Sequence, residues 1–467
     1  MKILLTHGYF LEEDKKEQAI MRPYVPLGIL YISAYLEKHG YENEVFDSTF
    51  SSFNQLCETL INDPPDVLGI YTNLMTKLNV LRVMRFVKSH PALRDTIIVL
   101  GGPEVRNHTD NFMRSGADLI VLGEGEQTML ELVQWADGKF AGGLEAIDGI
   151  VYREEGDRVR QNRERTKLKN LDELPMPNRS KVDLRLYLDA WKARHGTNAI
   201  SVSTMRGCPY SCKWCSRAVY GQSYRRRSPA KVAEELAWIG EQYQPDSIWF
   251  VDDVFTISHK WLEEFTREVM ERRLKISYEC ITRADRMNEE VIRNLRKSGC
   301  FRVWIGAESG SQKVIDLMDR RVEVQQVRDM IRMAKQYGIQ TGTFIMVGYP
   351  GETRQDIYAT LHHLKSADPD LYTITVAYPI KGTPLYAEVE DRFLTKLPWE
   401  SSTDRDIDFR RTYNRKYYDY AVKMISNEVS FHKALKKPIA NLLNLARLKL
   451  KSAWAQSGML VQEMKGG

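Results

Sequence analysis

No run of about 18 apolar residues occurs in this sequence, so no membrane-spanning helix is expected. The opening MKILLTHGY has no basic segment leading into an apolar one. It turns at once into a strand pattern, so no secretory leader is expected either. Basic charge is not concentrated. The 67 lysines and arginines stand against 62 acidic residues, and a net charge of +5 without a long basic run does not mark a nucleic-acid partner. The one tight arginine triplet, Arg225 to Arg227, reads as a solvated loop. Cysteine is scarce, with six residues at positions 57, 208, 212, 215, 280 and 300. Three of them crowd together and the others are scattered. A secreted disulfide framework is spaced differently, so these are thiols with a local task, and a cytoplasmic setting is expected. No fixed-period repeat is present, which sets solenoids aside.

What is present is ordinary in bulk. Apolar residues make up 43% and charged residues 28% of 467, a globular balance. That length suggests about three units. Short apolar strands are expected at 3–6, 44–47, 67–71, 96–100 and 119–122, alternating with helical patterns. Strands buried on both faces and joined by crossover helices imply a doubly wound parallel sheet over 1–145. Ligands bind beyond the carboxyl ends of such strands. Thr72, Asn73, Gly101, Gly102, Pro103, Gly123, Glu124 and Gly125 lie there. A hairpin at 148–162 turns through EEGD, and LDELPMPN (171–178) reads as a linker, so 146–190 joins two domains.

A second strand–helix series follows, with strands expected at 199–204, 247–251, 276–281, 301–305, 342–347 and 372–377. Six strands, each followed by a helix, suggest a partial (β/α)6 barrel over 191–400. Residues 401–467 form an extension with a helical, basic tail. There Ile439, Leu442, Leu443, Ala446, Leu450 and Trp454 share one helical face among lysines that include Lys433, Lys436, Lys437, Lys449 and Lys451. Such a helix suits the anionic inner surface of a membrane. A helix packed on the protein with its lysines solvated is the alternative.

The strongest local signal is Cys208-Pro-Tyr-Ser-Cys212-Lys-Trp-Cys215, directly after the first strand of the second series. Three thiolates on one loop suit three irons of a cubane cluster and leave the fourth iron open. A structural zinc site wants a fourth ligand nearby, and no Cys or His follows before His259.

CxxxCxxC in this place resembles the radical S-adenosylmethionine (SAM) superfamily. The resemblance implies a four-iron four-sulfur cluster on Cys208, Cys212 and Cys215. It also implies SAM contacts from Trp214 before the last cysteine, Asp252 and Asp253 in WFVDDVF, Arg283 in TRAD, Glu308 in GAESG and Gly348 in FIMVGYPG. Taken singly, each has a structural alternative: a helix cap for Asp252 and a salt-bridged barrel residue for Glu308. Their shared place at strand ends favours the site. GTPLY at 382–386 matches a later motif.

With PLG at 26–28, VLGIYTN, VLGGPE and VLGEGE in the first domain, the chain resembles the cobalamin-binding members, near the anaerobic magnesium-protoporphyrin monomethyl ester cyclases and the methyltransferases. That implies SAM cleavage to a 5′-deoxyadenosyl radical and methylation of an unactivated carbon from methylcobalamin, under anaerobic conditions. It implies a small-molecule or lipid substrate and an external electron donor such as flavodoxin or ferredoxin. An oxidative cyclase is the close alternative, and a non-catalytic cobalamin or iron–sulfur sensor is one of another class. A methylthiotransferase would need three more cysteines in the first domain, which holds only Cys57. The Asp-x-His-x-x-Gly signature of other cobalamin folds is absent, so the lower face of cobalt has no assigned ligand. His7, beyond the first strand, is either a polar surface residue or a group approaching the cofactor. Met75, Tyr220 and Tyr378 stand near the expected barrel mouth or in the core.

Overall fold

The computed structural model describes residues 1–154, 156, 158–395, 397–436 and 441–465. Glu155 and Asp157 of the expected turn, and Lys437 and Ile439 of the tail, lie outside the described residues. The chain forms two compact units. One comprises 1–209, 216–249 and 397–405; the other comprises 210–215, 250–396 and 406–467.

The first unit is built on a seven-stranded sheet. Its strands are β1 (Ile3–His7), β2 (Glu44–Phe46), β3 (Val67–Tyr71), β4 (Ile97–Gly101), β5 (Leu119–Val121), β6 (Ile150–Arg153) and β7 (Val159–Gln161), in the order β2-β1-β3-β4-β5-β6-β7. The first five are parallel, in the 2-1-3-4-5 order of flavodoxin-like sheets. Alternation along the strands makes two cores. Leu4, Leu68, Ile98 and Leu100 pack toward the helices Phe53–Asn62 and Lys77–Ser89. Ile3, Leu5, Val67 and Val99 pack toward Leu27–Lys38 and Glu126–Ala136. The hairpin continues this sheet, as antiparallel strands beside β5. The LDELPMPN segment is not a loose tether. Leu171 is buried, Asn178 donates its backbone N–H to Leu30 O at 3.0 Å, and Lys38 Nζ donates to Glu173 O at 2.8 Å.

The second series gives β8 (Ala199–Val202), a short antiparallel ladder of β9 (Met205–Arg206) with β10 (Arg225–Arg226), and then β11 (Ser247–Phe250), β12 (Tyr278–Thr282), β13 (Cys300–Glu308), β14 (Gln340–Val347) and β15 (Leu371–Val376). Six of these strands follow one another across an open sheet, β8-β11-β12-β13-β14-β15, as a partial barrel requires. The unit boundary falls inside β11. From β12 onward the pairs are parallel. Phe250, Phe255, Phe265 and Tyr278 stack edge and face as the aromatic core of the second unit.

The arginine triplet is not a solvated loop. Arg225 and Arg226 are strand residues, and Arg227 is buried with its Nη1 on Glu235 Oε2, because the carboxylates of Glu124 and Glu235 need partners away from water. The extension of the second unit carries two long helices, Arg415–Leu435 and Leu442–Lys465, packed on one another. Among the described residues no helix is long and apolar enough to cross a membrane.

Candidate functional site

In the first unit a cavity of about 240 Å³ opens at the carboxyl ends of β3, β4 and β5. Glycine makes much of its wall: Gly28, Gly69, Gly101, Gly102, Gly123 and Gly125. At Gly101 an added Cβ would meet nothing nearer than Val121 at 4.0 Å, so it would take up ligand space. Gly102 has φ +105 and lies against Thr72 O, where a Cβ would come to 2.4 Å, so no other residue fits. A glycine-walled, largely apolar recess at a sheet's carboxyl edge fits a flat nucleotide-like tail.

Six of the eight residues expected here line the cavity: Gly101, Gly102, Pro103, Gly123, Glu124 and Gly125. Thr72 and Asn73 do not. Thr72 is fully buried behind Gly102, and the Asn73 carboxamide accepts the backbone N–H groups of Met75 and Thr76 at 2.9 and 3.0 Å. Sequence reasoning missed Arg206, Val219 and Met129, and it placed Tyr220 elsewhere. All four line the cavity. Tyr220 and Val219 are brought in because Arg106 Nε donates to Ala218 O at 2.7 Å.

Arg206 supplies the cavity's cation. Its Nη1 donates to Glu124 Oε1 at 2.9 Å and to Glu126 Oε2 at 3.2 Å, and Nη2 donates to Glu126 Oε1. Arg225 Nη1 holds the other Glu124 oxygen at 2.6 Å. Burial pushes the Glu126 carboxyl up. The charge and hydrogen bonds of Arg206 outweigh that and hold it below the usual carboxylate range. Arg206 stands two residues before Cys208. Gly207 between them has φ +82 and approaches Ser223 so closely that a Cβ would lie 2.6 Å from its carbonyl oxygen.

His7 is neither surface nor ligand. It is buried, its Nε2 meets Asp47 Oδ1 at 3.0 Å, and its Nδ1 accepts the Tyr9 backbone N–H at 3.1 Å. Tyr187 holds the second Asp47 oxygen at 2.7 Å. With both ring nitrogens engaged, the histidine braces β1 and has no lone pair to offer a metal.

In the second unit the cysteine loop is fixed from below. Lys213 donates its N–H to Met318 O at 3.1 Å, Leu385 donates to Lys213 O at 3.0 Å, and Ser211 Oγ donates to Asp319. The GTPLY motif thus buttresses the loop. Trp214 packs on the cluster of Val314, Met318, Tyr349 and Leu385. Cys212 is buried and faces two guanidinium groups, Arg283 Nη1 at 3.7 Å and Arg320 Nη1 at 3.8 Å. Two cationic donors at one sulfur suit a cluster of net negative charge. No three His, Cys, Asp or Glu side chains converge on a single-ion site among the described residues. A cubane asks for something else, one thiolate on each of three irons.

Arg283 follows β12 and is held on all sides. Nε reaches Asp285 Oδ1 at 2.8 Å, Nη2 reaches Arg320 O at 2.7 Å, and the guanidinium stacks 3.7 Å over the Tyr210 ring. Glu308 ends β13 in a left-handed conformation, φ 62. Burial raises its carboxyl above the usual range, against the opposing charges of Arg320 and Arg283. Arg320 Nε lies 3.9 Å from Glu308 Oε1 and is buried without a hydrogen-bond partner, a donor held ready for a ligand. Arg320 was not foreseen, since nothing in MDRRV marks it out. Asp252 is buried at the end of β11. The more open Asp253 is raised by partial desolvation and then by the Asp252 charge. Gly348, φ 78, ends β14 and donates its N–H to Glu352 Oε2 at 2.5 Å.

Known proteins match both halves. The radical SAM superfamily model covers residues 202–364, and the B12 binding domain model covers 21–133. An uncharacterised methyltransferase of Pyrococcus horikoshii is 31% identical over 87% of this chain and 87% of its own length. The anaerobic magnesium-protoporphyrin IX monomethyl ester cyclase of Rubrivivax gelatinosus is 26% identical over 84% of this chain and 70% of its own. In fold, the cobalamin-dependent SAM radical enzyme OxsB with aqua-cobalamin bound matches with a TM-score of 0.75 at 18% identity, covering 99% of this chain and 72% of that one. A glycine cavity in one match, a cysteine loop in the other and a relative alike along nearly its whole length lead to one statement. The chain belongs to the cobalamin-binding radical SAM enzymes, whose cofactors are a four-iron four-sulfur cluster, SAM and cobalamin.

Proposed function

We propose that this enzyme methylates an unactivated carbon of a small-molecule or lipid substrate, drawing electrons from an external donor such as flavodoxin or ferredoxin. The observation that carries the chemistry is the buried set Cys212, Arg283, Arg320 and Glu308, with two cations on one sulfur and an unsatisfied donor beside a carboxyl that burial raises above its usual range. Methyl transfer in particular is supported by the name of the Pyrococcus relative. In this reading residues 1–145 bind cobalamin, 191–400 carry the SAM chemistry, 146–190 join them and 401–467 are an extension.

Cys208, Cys212 and Cys215 hold the cluster. Arg283 and Arg320 balance its charge, and the free Arg320 Nε takes a carboxylate of SAM. Glu308 takes a ribose hydroxyl, Asp252 and Asp253 face the ammonium, and Gly348 and Trp214 border the adenine. Gly101, Gly102, Pro103, Gly123, Glu124 and Gly125 enclose the nucleotide tail of cobalamin, with Thr72 and Asn73 supporting that wall from behind. When bound, cluster and SAM supply a deoxyadenosyl radical, and cobalamin supplies the methyl group. The chain's own work is to hold these reactants in place and keep water from them.

The test uses anaerobically reconstituted protein with cobalamin, SAM and a strong reductant. Retained cobalamin and 5′-deoxyadenosine that disappears in Cys212→Ala are the expected result. Deoxyadenosine without retained cobalamin would end the methyl-transfer reading. The cyclase relatives favour a second reading, oxidative ring closure. Product mass separates the two, since only methylation adds a methyl group. The exposed C-terminal helix supports a further part of the proposal, peripheral contact with the inner membrane surface.

A further inference from the structure

The helix Leu442–Lys465 uses one side to hold the protein and leaves the other bare. Leu445, Ser452, Ala455 and Met459 are buried against the preceding helix. Gly458 permits that approach, because a Cβ there would come within 2.6 Å of the Tyr420 ring. At 100° per residue these positions mark one arc. The opposite arc carries Leu443, Leu450, Trp454 and Met464, exposed by 84, 71, 58 and 76%, together with Leu442, Leu460 and Val461. It holds no acidic residue. The helix has one acid, Glu463, and that is turned inward to Arg354 Nη1 at 3.3 Å and Tyr413. Arg447, Lys451 and Lys465 line one flank of the apolar arc, all exposed. Lys449, on the other flank, is tied to Glu428 at 2.8 Å.

An apolar stripe along most of a helix about 36 Å long calls for an occupant. A second copy of this chain fits poorly. A two-fold pairing sets the same patch on itself, and that patch carries Arg447, Lys451 and Lys465 without a carboxylate, so like charges would gather at the seam with nothing to pair them. An anionic bilayer satisfies both features, taking the apolar arc into its acyl boundary and the cations at its headgroups. Trp454, packed edge-on to Tyr420 at 5.2 Å with Lys423 Nζ 5.3 Å from its ring, has the make-up of an interfacial anchor. We infer that this arc lies in the plane of an anionic lipid surface and is the element that brings the enzyme there. The inference rests on the peripheral placement proposed above and not on methyl transfer.

The experiment is flotation of the full-length, anaerobically reconstituted protein with phosphatidylcholine vesicles, with and without phosphatidylglycerol. The wild type is expected to float with the anionic vesicles and to be released by high salt. Arg447→Gln with Lys451→Gln should weaken that binding about 30-fold. Leu450→Glu with Trp454→Glu should abolish it while deoxyadenosine formation is kept. Quenching of tryptophan fluorescence by brominated lipid should fall in Trp454→Phe. A wild type that does not float overturns both the arc and the peripheral placement. Flotation that survives Leu450→Glu with Trp454→Glu overturns the arc alone. A dimer in sedimentation that this double variant dissolves, without flotation, would assign the arc to a second copy.

Discussion

Replacing Arg206 by methionine leaves a side chain of similar reach in the wall of the cavity but removes the cation from between Glu124 and Glu126. Both carboxylates are nearly excluded from solvent, and among the described residues Glu126 has no other ion-pair partner in contact. Breaking a buried pair by removing one member costs about 3–5 kcal/mol, because the remaining charge stays desolvated. At roughly 2–4 °C per kcal/mol for a unit of this size, melting should fall by about 6–20 °C. The pH dependence identifies the cause. In the wild type Glu126 lies below its ordinary value, so its contribution is present at neutral pH and is lost only as pH falls through that low value. In Arg206→Met burial acts with little opposition, and the carboxyl moves above the ordinary range. The defect should therefore be largest near pH 7.5 and should shrink toward pH 5, where the variant protonates Glu126. Urea unfolding at the two pH values measures this, and cobalamin retained after desalting reports the cavity wall. An equal loss at both pH values, or a loss under about 1 kcal/mol, would show that the pair does not carry the charge argument. Arg206→Lys keeps the charge without the fork and should fall between the two.

Gly102→Ala forces a side chain into a positive-φ site against Thr72 O, so about 1–3 kcal/mol of backbone strain alone should appear on melting, with cobalamin retention lost. Unchanged melting and retention would refute the close approach. Glu352, whose carboxyl burial pushes up to about 8, penalises folding progressively as pH rises above the ordinary carboxylate range. Glu352→Gln should match the wild type near pH 4.5 and exceed it by roughly 2–4 kcal/mol at pH 8.5. A variant weaker at both pH values would count against that reading. Arg283→Lys keeps the charge but loses the Tyr210 stack and the fork to Asp285, so deoxyadenosine yield should fall at least tenfold with iron content kept. An undiminished yield would mean that only its charge matters.

The strands were legible because burial on both faces writes itself as short β-branched runs. VLGIY at 67–71 and IIVLG at 97–101 read almost residue for residue. The hairpin's place beside β5 was not legible, since a hairpin's local pattern says nothing of which edge it extends. The CxxxCxxC loop and the glycine turns stood out because their chemistry restricts residue type. Arg206 and Arg320 did not, because an arginine's role comes from carboxylates far off in sequence. The same holds for the arginine triplet, where Glu124 and Glu235 draw Arg225 and Arg227 out of solvent. The tail's apolar face was readable as a periodicity, but which side faces the protein was not. Ala446, Leu450 and Trp454 point outward, while Leu445, Ser452 and Met459 hold the helix down.

Glu308 ends β13 with a backbone that L-residues avoid and glycine takes freely. Its position therefore separates two kinds of selection. A library of variants sorted for folding alone should enrich glycine or asparagine there, since either relieves the strain and the desolvated carboxyl together. A library sorted for turnover should return to glutamate. Where the two sortings part company along a chain is a map of what the fold tolerates only for the sake of the reaction, and residue 308 is the place to begin reading it.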